Sequence, residues 1–395
     1  MVNTVFRDPI YGYIRIEYEV IKKLIDTKEF QRLRRIKQLS GVSMVFHMAE
    51  HNRFSHSLGT YELAREVLEH VNDVKNALTE YEKVVFLCSA LLHDLGHGPY
   101  SHSYEDIFLV NHEIMTNKII LGDTEVNKVL KEYNDNLPND ISSIIAHEGK
   151  YEIIEDLVSS QLDVDRMDYL LRDAYFTGAA FGEIDYEKIL RGMVIRNNRI
   201  LFKATSVPNI EDYLMSRYHM YYQVYYHPVA RCYEIMLEKI YARIKYLIEN
   251  NYHFKTNLNL LIKSLNNKDD VKSYVEIDDV YINGCIKSFL YEDDIELRIL
   301  SNKFLNRRLF KYIDLRFASN DDIEKIALLK ENPDYYYIED NVSKEAYSYK
   351  NNDQIKILLP NEKIMDLIEF SPIVEAFSKS SSKINSIIVY EEKYV

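Results

Sequence analysis

The chain has 395 residues, of which 47% are apolar, and a formal net charge of −13 at neutral pH. This length exceeds the size at which a single hydrophobic core stops growing, so we expect one large domain and a smaller one. The negative charge argues against a dedicated polynucleotide-binding surface, because phosphate neutralisation dominates that kind of binding. No segment of the sequence has the roughly 18 uncharged apolar residues that a membrane helix needs.

The cysteines and the first residues indicate the compartment. Cys88, Cys232 and Cys285 are scattered and odd in number, which is not the pattern of a disulfide framework. The first eight residues lack the charged and apolar regions of a secretory signal. We therefore expect a soluble protein of the reducing cytoplasm.

The amino-terminal segment predicts a hairpin followed by two short helices. Pro9 and Gly12 bracket a turn within residues 4–17, and the second helix runs from Thr27, its N-cap, through Lys37. Residues 1–40 carry nine Lys and Arg against five Asp and Glu. This local basic excess suits a site for a small anion, although a solvated helix face explains the charge equally well.

Residues 88–102 are the most informative stretch. An apolar helical run brings the adjacent His93 and Asp94 to the point where Gly96 breaks the helix. Imidazole and carboxylate together suit divalent transition metals, and a bound cation would offset the cost of burying them. A capped helix end is the alternative interpretation of a bare His-Asp pair.

Further helices are predicted on both sides of this stretch. Four of them begin at residues 52, 80, 111 and 163, and three others cover residues 124–133, 139–147 and 151–160. Asn197 and Asn198 predict a hairpin within residues 193–203. Residues 208–250 have a long helical pattern that is interrupted at Pro228.

The predicted organisation has three parts. Residues 1–255 form one continuous helical domain, residues 256–311 a helical extension, and residues 312–395 a small α+β domain. In the last part, strand-like runs at 335–338, 356–359 and 387–390 surround one helix at 372–378. We therefore expect a mainly α protein with a small amino-terminal β-hairpin and a smaller C-terminal α+β region.

The histidines can be weighed together. Nine of the twelve precede residue 150, and His56, His93, His102 and His112 lie at predicted helix ends, where separate helices can converge. Asp165, in the first turn of another helix, offers a second carboxylate beside Asp94. Two imidazoles and two carboxylates leave open positions on an octahedral ion, which suits hydrolysis.

Four motifs carry a family resemblance. Lys37-Gln38-Leu39 and the segments 51–59, 93–102 and 163–169 are similar, in this order, to those of the HD-domain deoxynucleoside triphosphate triphosphohydrolases. The resemblance is strongest over residues 5–180 and continues weakly to about residue 312. It implies an HD-domain helical bundle that hydrolyses dNTPs to a deoxynucleoside and inorganic triphosphate.

The resemblance also implies roles for individual residues. A divalent ion, which could be Mn, Fe, Zn or Mg, would be held by His56, His93, Asp94 and Asp165. The resemblance assigns leaving-group protonation to His112, phosphate-facing positions to His97 and His102, and the position of an orienting aspartate to Glu105. Substrate contacts are implied for Arg53, Arg166 (a lysine in relatives), Gln38, Tyr169 and Asp173. Tyr169 would crowd the ribose 2′ position and so exclude ribonucleotides.

A regulatory site is implied as well. Asp26, Gln31 and Arg34 match positions that read a guanine between subunits in relatives, and Arg307 and Lys311 match positions that contact its phosphates. The resemblance therefore predicts a guanine nucleotide activator and a homotetramer or homodimer. An ordinary ion pair between Asp26 and Arg34 is the alternative interpretation.

Other functions stay open at this point. The chain could be an HD phosphohydrolase of nucleoside monophosphates or guanosine polyphosphates, or a non-catalytic nucleotide sensor or scaffold. His47 and His51 are interpreted as loop or packing histidines. The aromatic run at residues 218–226 favours a core or interface stripe over a base-stacking platform, because its spacing is helical.

Overall fold

The structure is a computed structural model that describes residues 4–343, 354–379 and 383–393. It begins with the predicted hairpin, in which strands β1 (Thr4–Asp8) and β2 (Gly12–Ile16) pair antiparallel. Gly12 has a φ of 75° and pairs with Asp8, so the turn needs a residue without a Cβ.

Helices build most of the molecule, as the composition and periodicity predict. The first set consists of α1 (Glu19–Ile25), α2 (Lys28–Arg32), α3 (Arg53–His70), α4 (Asn72–Ala77), α5 (Glu80–Leu92), α6 (His102–Phe108), α7 (His112–Leu121), α8 (Glu125–Tyr133), α9 (Leu137–Ile145), α10 (Glu152–Val158), α11 (Val164–Thr177) and α12 (Tyr186–Gly192). Helix α5 starts with a capping box of Thr79 and Glu82 and is buried from Val84 to Leu92. It therefore forms the centre of the bundle and packs against α3 and α9.

The second short helix ends earlier than its pattern predicts. A 3-10 turn, Leu33–Arg35, follows α2, and the chain is extended at Ile36. Lys37 forms a β-bridge with Asn52, and the Arg53 N–H donates to Ile36 O at 3.0 Å. The expected helix through Lys37 is therefore wrong at its end, because these contacts with a later segment replace helical hydrogen bonds.

The middle of the chain agrees with the sequence patterns. Strands β3 (Met193–Arg196) and β4 (Arg199–Lys203) form the predicted hairpin, with Asn197 and Asn198 both at positive φ in its turn. Helix α13 (Val207–Met220) continues into a π-helical turn, Tyr221–Tyr225, before α14 (Pro228–Glu249). The non-helical residues are Tyr226 and His227, directly before Pro228, so the predicted interruption at Pro228 is confirmed and the π-helical turn is an additional irregularity.

The remaining elements are helices followed by a mixed region. They are α15 (Asn259–Asn266), α16 (Val271–Tyr274), α17 (Asp279–Ser288), α18 (Ile295–Leu305), β5 (Lys311–Asp314), α19 (Asn320–Glu331), β6 (Tyr335–Ser343), β7 (Lys356–Leu358), β8 (Ile364–Asp366), α20 (Leu367–Phe370), α21 (Pro372–Lys379) and β9 (Lys383–Glu392). The α+β character of this region is confirmed. The expectation of a single helix in residues 312–395 missed α19 and α20.

The C-terminal strands divide between two sheets. One sheet has the order β5-β9-β6, and the other has the order β3-β4-β7-β8. Strand β7 is parallel to β4, with Ile357 opposite Phe202. The division at residues 255 and 311 stays a prediction, but this pairing joins its first and last parts in one sheet. Within the described ranges, no helix is long and apolar enough to cross a membrane.

Candidate metal centre and active site

Three helix ends bring the predicted metal ligands close to one another. The ligand atoms of His56, His93 and Asp165 form one group that could hold a metal ion, and Asp94, which forms a second group with His97 and His112, lies beside it. His56 lies in the first turn of α3, His93 and Asp94 follow α5, and Asp165 lies in the first turn of α11. His56 Nε2 is 3.0 Å from Asp165 Oδ1 and 3.6 Å from Asp94 Oδ2. His93 Nε2 is 3.4 Å from Asp165 Oδ1 and 3.5 Å from Asp94 Oδ1. Ligands roughly 2.1 Å from one ion and at right angles lie about 3 Å apart, which agrees with this spacing.

The two imidazoles have the tautomer that a cation site requires. His56 Nδ1 lies 2.8 Å from Asp168 Oδ2, and His93 Nδ1 lies 2.9 Å from Ala90 O. These acceptors hold the proton on Nδ1 and leave the lone pair on Nε2. Both Nε2 atoms are buried and have no well-aligned hydrogen-bond partner among the described residues. The residues present therefore fit a divalent cation.

The electrostatics of the centre match a positive charge. Burial lowers the pKa of His56, but the carboxylates of Asp165 and Asp168 outweigh burial and raise that pKa to about 10. Burial raises the pKa of Asp165, yet His93 and His56 outweigh it and hold this pKa far below its ordinary value. Without a cation, the cluster would therefore bind a proton in its place.

A buried network that the sequence analysis missed supports His56. Asp168 accepts from Tyr11 Oη at 2.8 Å and from the Arg172 guanidinium at 2.9 and 3.0 Å. Arg172 also donates to Asp8 at 2.8 Å. A Cβ on Gly59 would lie 1.8 Å from Asp168 Oδ1, so only glycine leaves room for this carboxylate. The spacing of Asp168 and Arg172, four residues apart on α11, was the available signal.

A second cluster gathers the predicted catalytic histidines around one carboxylate. Glu105 lies 3.0 Å from His97 Nδ1, 3.1 Å from His112 Nδ1 and 3.5 Å from His102 Nδ1. The longer acid at this position thus reaches His112. Leu109 directly follows the last residue of α6 and has a left-handed φ of 55°. The chain reverses there, so that α7 returns His112 to Glu105. His102 is much more exposed than the other two, with 76% of its side-chain surface accessible.

Two stacked histidines in this cluster have opposite protonation tendencies. The rings of His97 and His112 are 3.9 Å apart and nearly parallel. Burial and the nearby Arg53 guanidinium lower the pKa of His97 to about 4. Burial also lowers the pKa of His112, but its hydrogen bond to Glu105 outweighs burial and raises that pKa above the ordinary value. Of the two imidazoles, His112 therefore keeps a proton to higher pH than His97 does.

A cavity of about 750 Å³ lies beside both clusters. This volume is within the range of roughly 300–1,000 Å³ that small-molecule sites occupy. Predicted site residues on its wall are Gln38, Arg53, Asp94, His97, His102, His112, Asp165, Arg166, Tyr169 and Asp173. The structure thus brings the predicted catalytic and substrate residues, Glu105 behind them, to one place.

The two predicted phosphate-binding arginines already have protein partners. Arg53 forms a buried ion pair with Asp94 and donates to Ser101 Oγ at 2.8 and 3.0 Å. Arg166 donates from Nε to Ser160 O at 2.8 Å. Both side chains nevertheless line the cavity, so they add positive charge beside the metal centre.

The predicted substrate contact Asp173 is held by two residues to which the sequence analysis assigned no role in the site. Asp173 accepts from His51 Nε2 at 2.8 Å and from Tyr225 Oη at 2.7 Å. His51 is buried and stacked on Phe176, so its interpretation as a loop or packing histidine missed this contact with the site. Gln38 Oε1 is buried without a hydrogen-bond partner within the described part of the chain.

The aromatic run also belongs to the cavity. Tyr221, Tyr225 and Tyr226 line it, whereas Met220 and Val224 are fully buried in the core, so the expectation of a core or interface stripe holds for only part of the run. Arg217, one turn before the π-helical segment, lines the cavity too, and its Nε and Nη1 are buried with no hydrogen-bond partner among the residues described. Buried guanidinium nitrogens that have no partner can bind an anion. The helical spacing of the run hid this, because a π-turn changes which side chains face inward.

Four of the five predicted regulatory residues are exposed, and Gln31 is partly buried, where its Nε2 donates to Ile25 O at 2.7 Å. Asp26 is exposed at the end of α1, and Arg34 donates to Gln31 Oε1 at 2.9 Å and stacks 3.5 Å from the Phe54 ring. As far as the structure describes the chain, Asp26 and Arg34 form no ion pair with each other. Arg307 donates to Met44 O at 2.8 and 3.1 Å, and Lys311 is exposed at the start of β5.

Comparisons with known proteins agree with this geometry. The family model of the HD domain matches residues 53–173, and that of the HD associated region matches residues 184–395. The chain is 42% identical to the uncharacterized protein YwfO of Bacillus subtilis, over 95% of this chain and 89% of the relative. It is 29% identical to the deoxynucleoside triphosphate triphosphohydrolase SAMHD1 homolog of Dictyostelium discoideum, over 81% of this chain and 62% of the relative. A crystal structure of a phosphohydrolase from Bacteroides thetaiotaomicron is 27% identical, with a TM-score of 0.83 and full coverage of both chains.

Proposed function

This chain belongs to the HD-domain family of phosphohydrolases, related to the dNTP triphosphohydrolases, and on that premise we propose that it hydrolyses dNTPs to a deoxynucleoside and inorganic triphosphate. One observation carries the proposal. The buried Nε2 atoms of His56 and His93, which have no well-aligned hydrogen-bond partner among the described residues, face two carboxylates at the wall of a cavity that arginines also line. The positive charge of a bound cation and of the arginines would neutralise the negative charge of a triphosphate in this cavity.

His56, His93, Asp94 and Asp165 would hold the divalent ion. When bound, such an ion supplies a water of lowered pKa and a Lewis acid for phosphoryl oxygens. Mixed nitrogen and oxygen ligands do not distinguish Mn, Fe, Zn and Mg, because availability decides among them.

The other residues act on the triphosphate and on the leaving group. Arg53, Arg166 and Arg217 bind phosphate oxygens and take up the charge that develops on them. Water attacks the α-phosphorus, the bond from phosphorus to the 5′-oxygen breaks, and His112 gives its proton to that oxygen. Glu105 keeps His112 protonated and oriented for this transfer.

The sugar and the base would extend along the rest of the cavity. Tyr169 and Asp173 lie on consecutive turns of α11, and His51 and Tyr225 fix the Asp173 carboxylate. With Gln38, they would contact the 3′-hydroxyl side of the deoxyribose, while Tyr169 leaves no space for a 2′-hydroxyl. This arrangement favours dNTPs over ribonucleotides.

The test is a panel of nucleotides with the purified full chain and Mn, Mg or Fe. We expect inorganic triphosphate and a deoxynucleoside from dNTPs, and loss of both activity and bound metal in Asp94→Ala. Asp123→Ala, which removes an exposed acid between two lysines, is the control and should behave as the wild type. Release of orthophosphate from monophosphates, or of pyrophosphate from guanosine polyphosphates, would favour the alternative phosphohydrolases. A complete lack of turnover with metal bound would favour a nucleotide sensor.

The same family supports a proposal about regulation. A guanine nucleotide would bind between subunits to Asp26, Gln31 and Arg34, with Arg307 and Lys311 of a neighbouring copy at its phosphates, and would favour a tetramer. A carboxylate accepts from guanine N1 and N2, while Gln and Arg serve O6 and N7. The exposure of Asp26, Arg34, Arg307 and Lys311 supports the proposal. By binding the assembled state more tightly, the nucleotide would raise the activity on other dNTPs.

A further inference from the structure

Helices α16 and α17 contact the loop that carries the active-site histidine His97, although they contribute no metal ligand. This histidine loop comprises residues 95–101. Tyr274 Oη donates to Gly96 O at 2.7 Å, and Tyr100 Oη donates to Asn283 Oδ1 at 2.7 Å. Between these two contacts, the Tyr100 N–H donates to Asp279 Oδ1 at 2.9 Å.

The histidine loop has a backbone that needs support. Tyr100 and Ser101 have φ values of 56° and 50°, which residues with a Cβ rarely adopt. Two consecutive residues in this region persist only where surrounding contacts hold them. The hydrogen bond from Tyr100 to the buried Asp279 carboxylate is such a contact.

Asp279 also holds a second wall of the cavity. Its Oδ2 accepts from the Lys37 N–H at 2.9 Å, next to Gln38. The same extended segment contacts Arg53 through Ile36 O. One buried carboxylate therefore joins the backbone before Gln38 to the backbone before Ser101, and Ser101 Oγ in turn holds the Arg53 guanidinium.

We propose that Asp279 is a positioning residue that fixes the distance between the histidine loop and the Gln38 segment, and thereby sets Arg53 and Gln38 for substrate. The inference rests on the proposed function for its effect on catalysis but not for its effect on the two segments. Asp279 touches no reacting atom; it acts through two backbone amides.

The chemistry of the clamp allows an isosteric test. A carboxylate offers two acceptors for two N–H groups, whereas an asparagine offers one oxygen and turns an NH₂ toward the other N–H. Asp279→Asn should therefore release one of the two segments without changing the volume. Asp278→Asn is the matched control: asparagine still caps α17, and although the substitution weakens the ion pair of Asp278 with Arg35, both backbone N–H contacts of Asp279 stay in place.

Hydrogen exchange measures the clamp directly. In Asp279→Asn, peptides that span residues 95–103 or 36–39 should exchange at least about tenfold faster than in the wild type. In Asp278→Asn, the peptide that spans 95–103 should exchange as in the wild type. Wild-type exchange of both peptides in Asp279→Asn would overturn the proposal, whatever the activity of the protein.

Kinetics then test the consequence. Small misplacements of positioned groups cost up to roughly 100-fold in rate, so kcat/KM for triphosphate release should fall by about 10- to 100-fold in Asp279→Asn. The bound metal should stay at its wild-type level, and kcat/KM of Asp278→Asn should stay within twofold of the wild-type value.

A double variant tests the route of the effect. Because Asp279 acts through Ser101, Ser101→Ala should lower kcat/KM by a smaller factor in Asp279→Asn than in the wild type. Equal losses in Asp278→Asn, or strictly additive losses with Ser101→Ala, would contradict the mechanism. If the wild type releases no triphosphate at all, the proposed function fails, and the exchange experiment still decides the clamp.

Discussion

His56 Nδ1 and Asp168 Oδ2 lie 2.8 Å apart at a carboxylate with no exposed surface. This contact decides which nitrogen of His56 is free for a cation. In Asp168→Asn, the amide can donate to Nδ1 and reverse the tautomer, so we expect metal affinity to fall by roughly 10- to 100-fold. Metal content after equilibration at defined free metal concentrations measures the effect. Asp156→Asn, in a surface ion pair with Arg199, is the control; equal metal content in both variants would refute the role of Asp168.

Tyr169 should control the choice of sugar. Its partly buried side chain lines the cavity beside Asp173, where a 2′-hydroxyl would need space. In Tyr169→Ala, we expect the ratio of dGTP to GTP hydrolysis to fall by at least about tenfold, chiefly because GTP turnover rises. Tyr175→Ala changes an exposed tyrosine on the same helix and should leave the ratio unchanged. Comparable wild-type rates on GTP and dGTP would rule out this role.

Glu105 should set the alkaline limit of activity. It raises the pKa of His112 against the effect of burial, and the proposed transfer needs His112 protonated. Activity is therefore lost as the pH rises through this pKa. Glu105→Gln removes the raising charge, so the alkaline limb of the kcat profile should move to lower pH. The profile of Glu113→Gln, an exposed acid on the same helix as His112, should match that of the wild type. An unmoved limb in Glu105→Gln would exclude His112 as the titrating acid.

Two glycines should respond to alanine in opposite directions. A Cβ on Gly59 would lie 1.8 Å from Asp168 Oδ1 and 2.3 Å from Arg172 Nη2, so Gly59→Ala must displace a buried ion pair. We expect a loss of about 3 kcal/mol or more in the free energy of unfolding. A Cβ on Gly284 in α17 would meet no heavy atom of the described chain within 4 Å. Gly284→Ala should therefore stabilise the protein by about 0.5–1 kcal/mol. Chemical denaturation measures both, and equal effects would contradict the packing around Asp168.

Asp26 should report on regulation. If a guanine nucleotide binds between subunits, GTP or dGTP should raise dATP hydrolysis several-fold and increase the sedimentation coefficient of the wild type. Asp26→Ala should lose both responses while keeping the basal rate. Glu19→Ala, an exposed acid on the same helix, should keep them. An unchanged rate and mass in the wild type would rule out the regulatory site and leave the catalytic proposal intact.

The sequence contains the parts of the site that depend on local structure. His56, His93 and Asp165 could be placed because caps and breakers at Asn52, Gly96 and Asp163 mark helix ends, and ends of separate helices can meet. The family motifs then fixed which ends meet. The contact between Glu105 and His112 could not be predicted, because it depends on the left-handed conformation of Leu109. Leucine rarely adopts this conformation, so the sequence gives no sign of it.

Contacts between distant segments account for most of what the sequence did not reveal. The sequence around Asp168 and around His51 has no unusual pattern. Their role in the site depends on contacts with residues of other segments, His56 and Asp173. Arg217 lies in a regular helical pattern that a π-turn then shifts. Strand β7 has a clear strand signal in the sequence. The alternation of residues indicates which side chains share a face of the strand, but it does not identify the strand with which β7 pairs.

The pairing of β4 with β7 also limits when the fold can be completed during translation. Phe202 leaves the ribosome long before its partner Ile357, so one edge of β4 stays open while the intervening chain is made. Open strand edges are templates for pairing with other chains. Nascent chains on one polysome lie close together and present the same edge. A product that stops at residue 311 would keep that edge permanently, and would be an aggregation-prone fragment instead of a minimal enzyme.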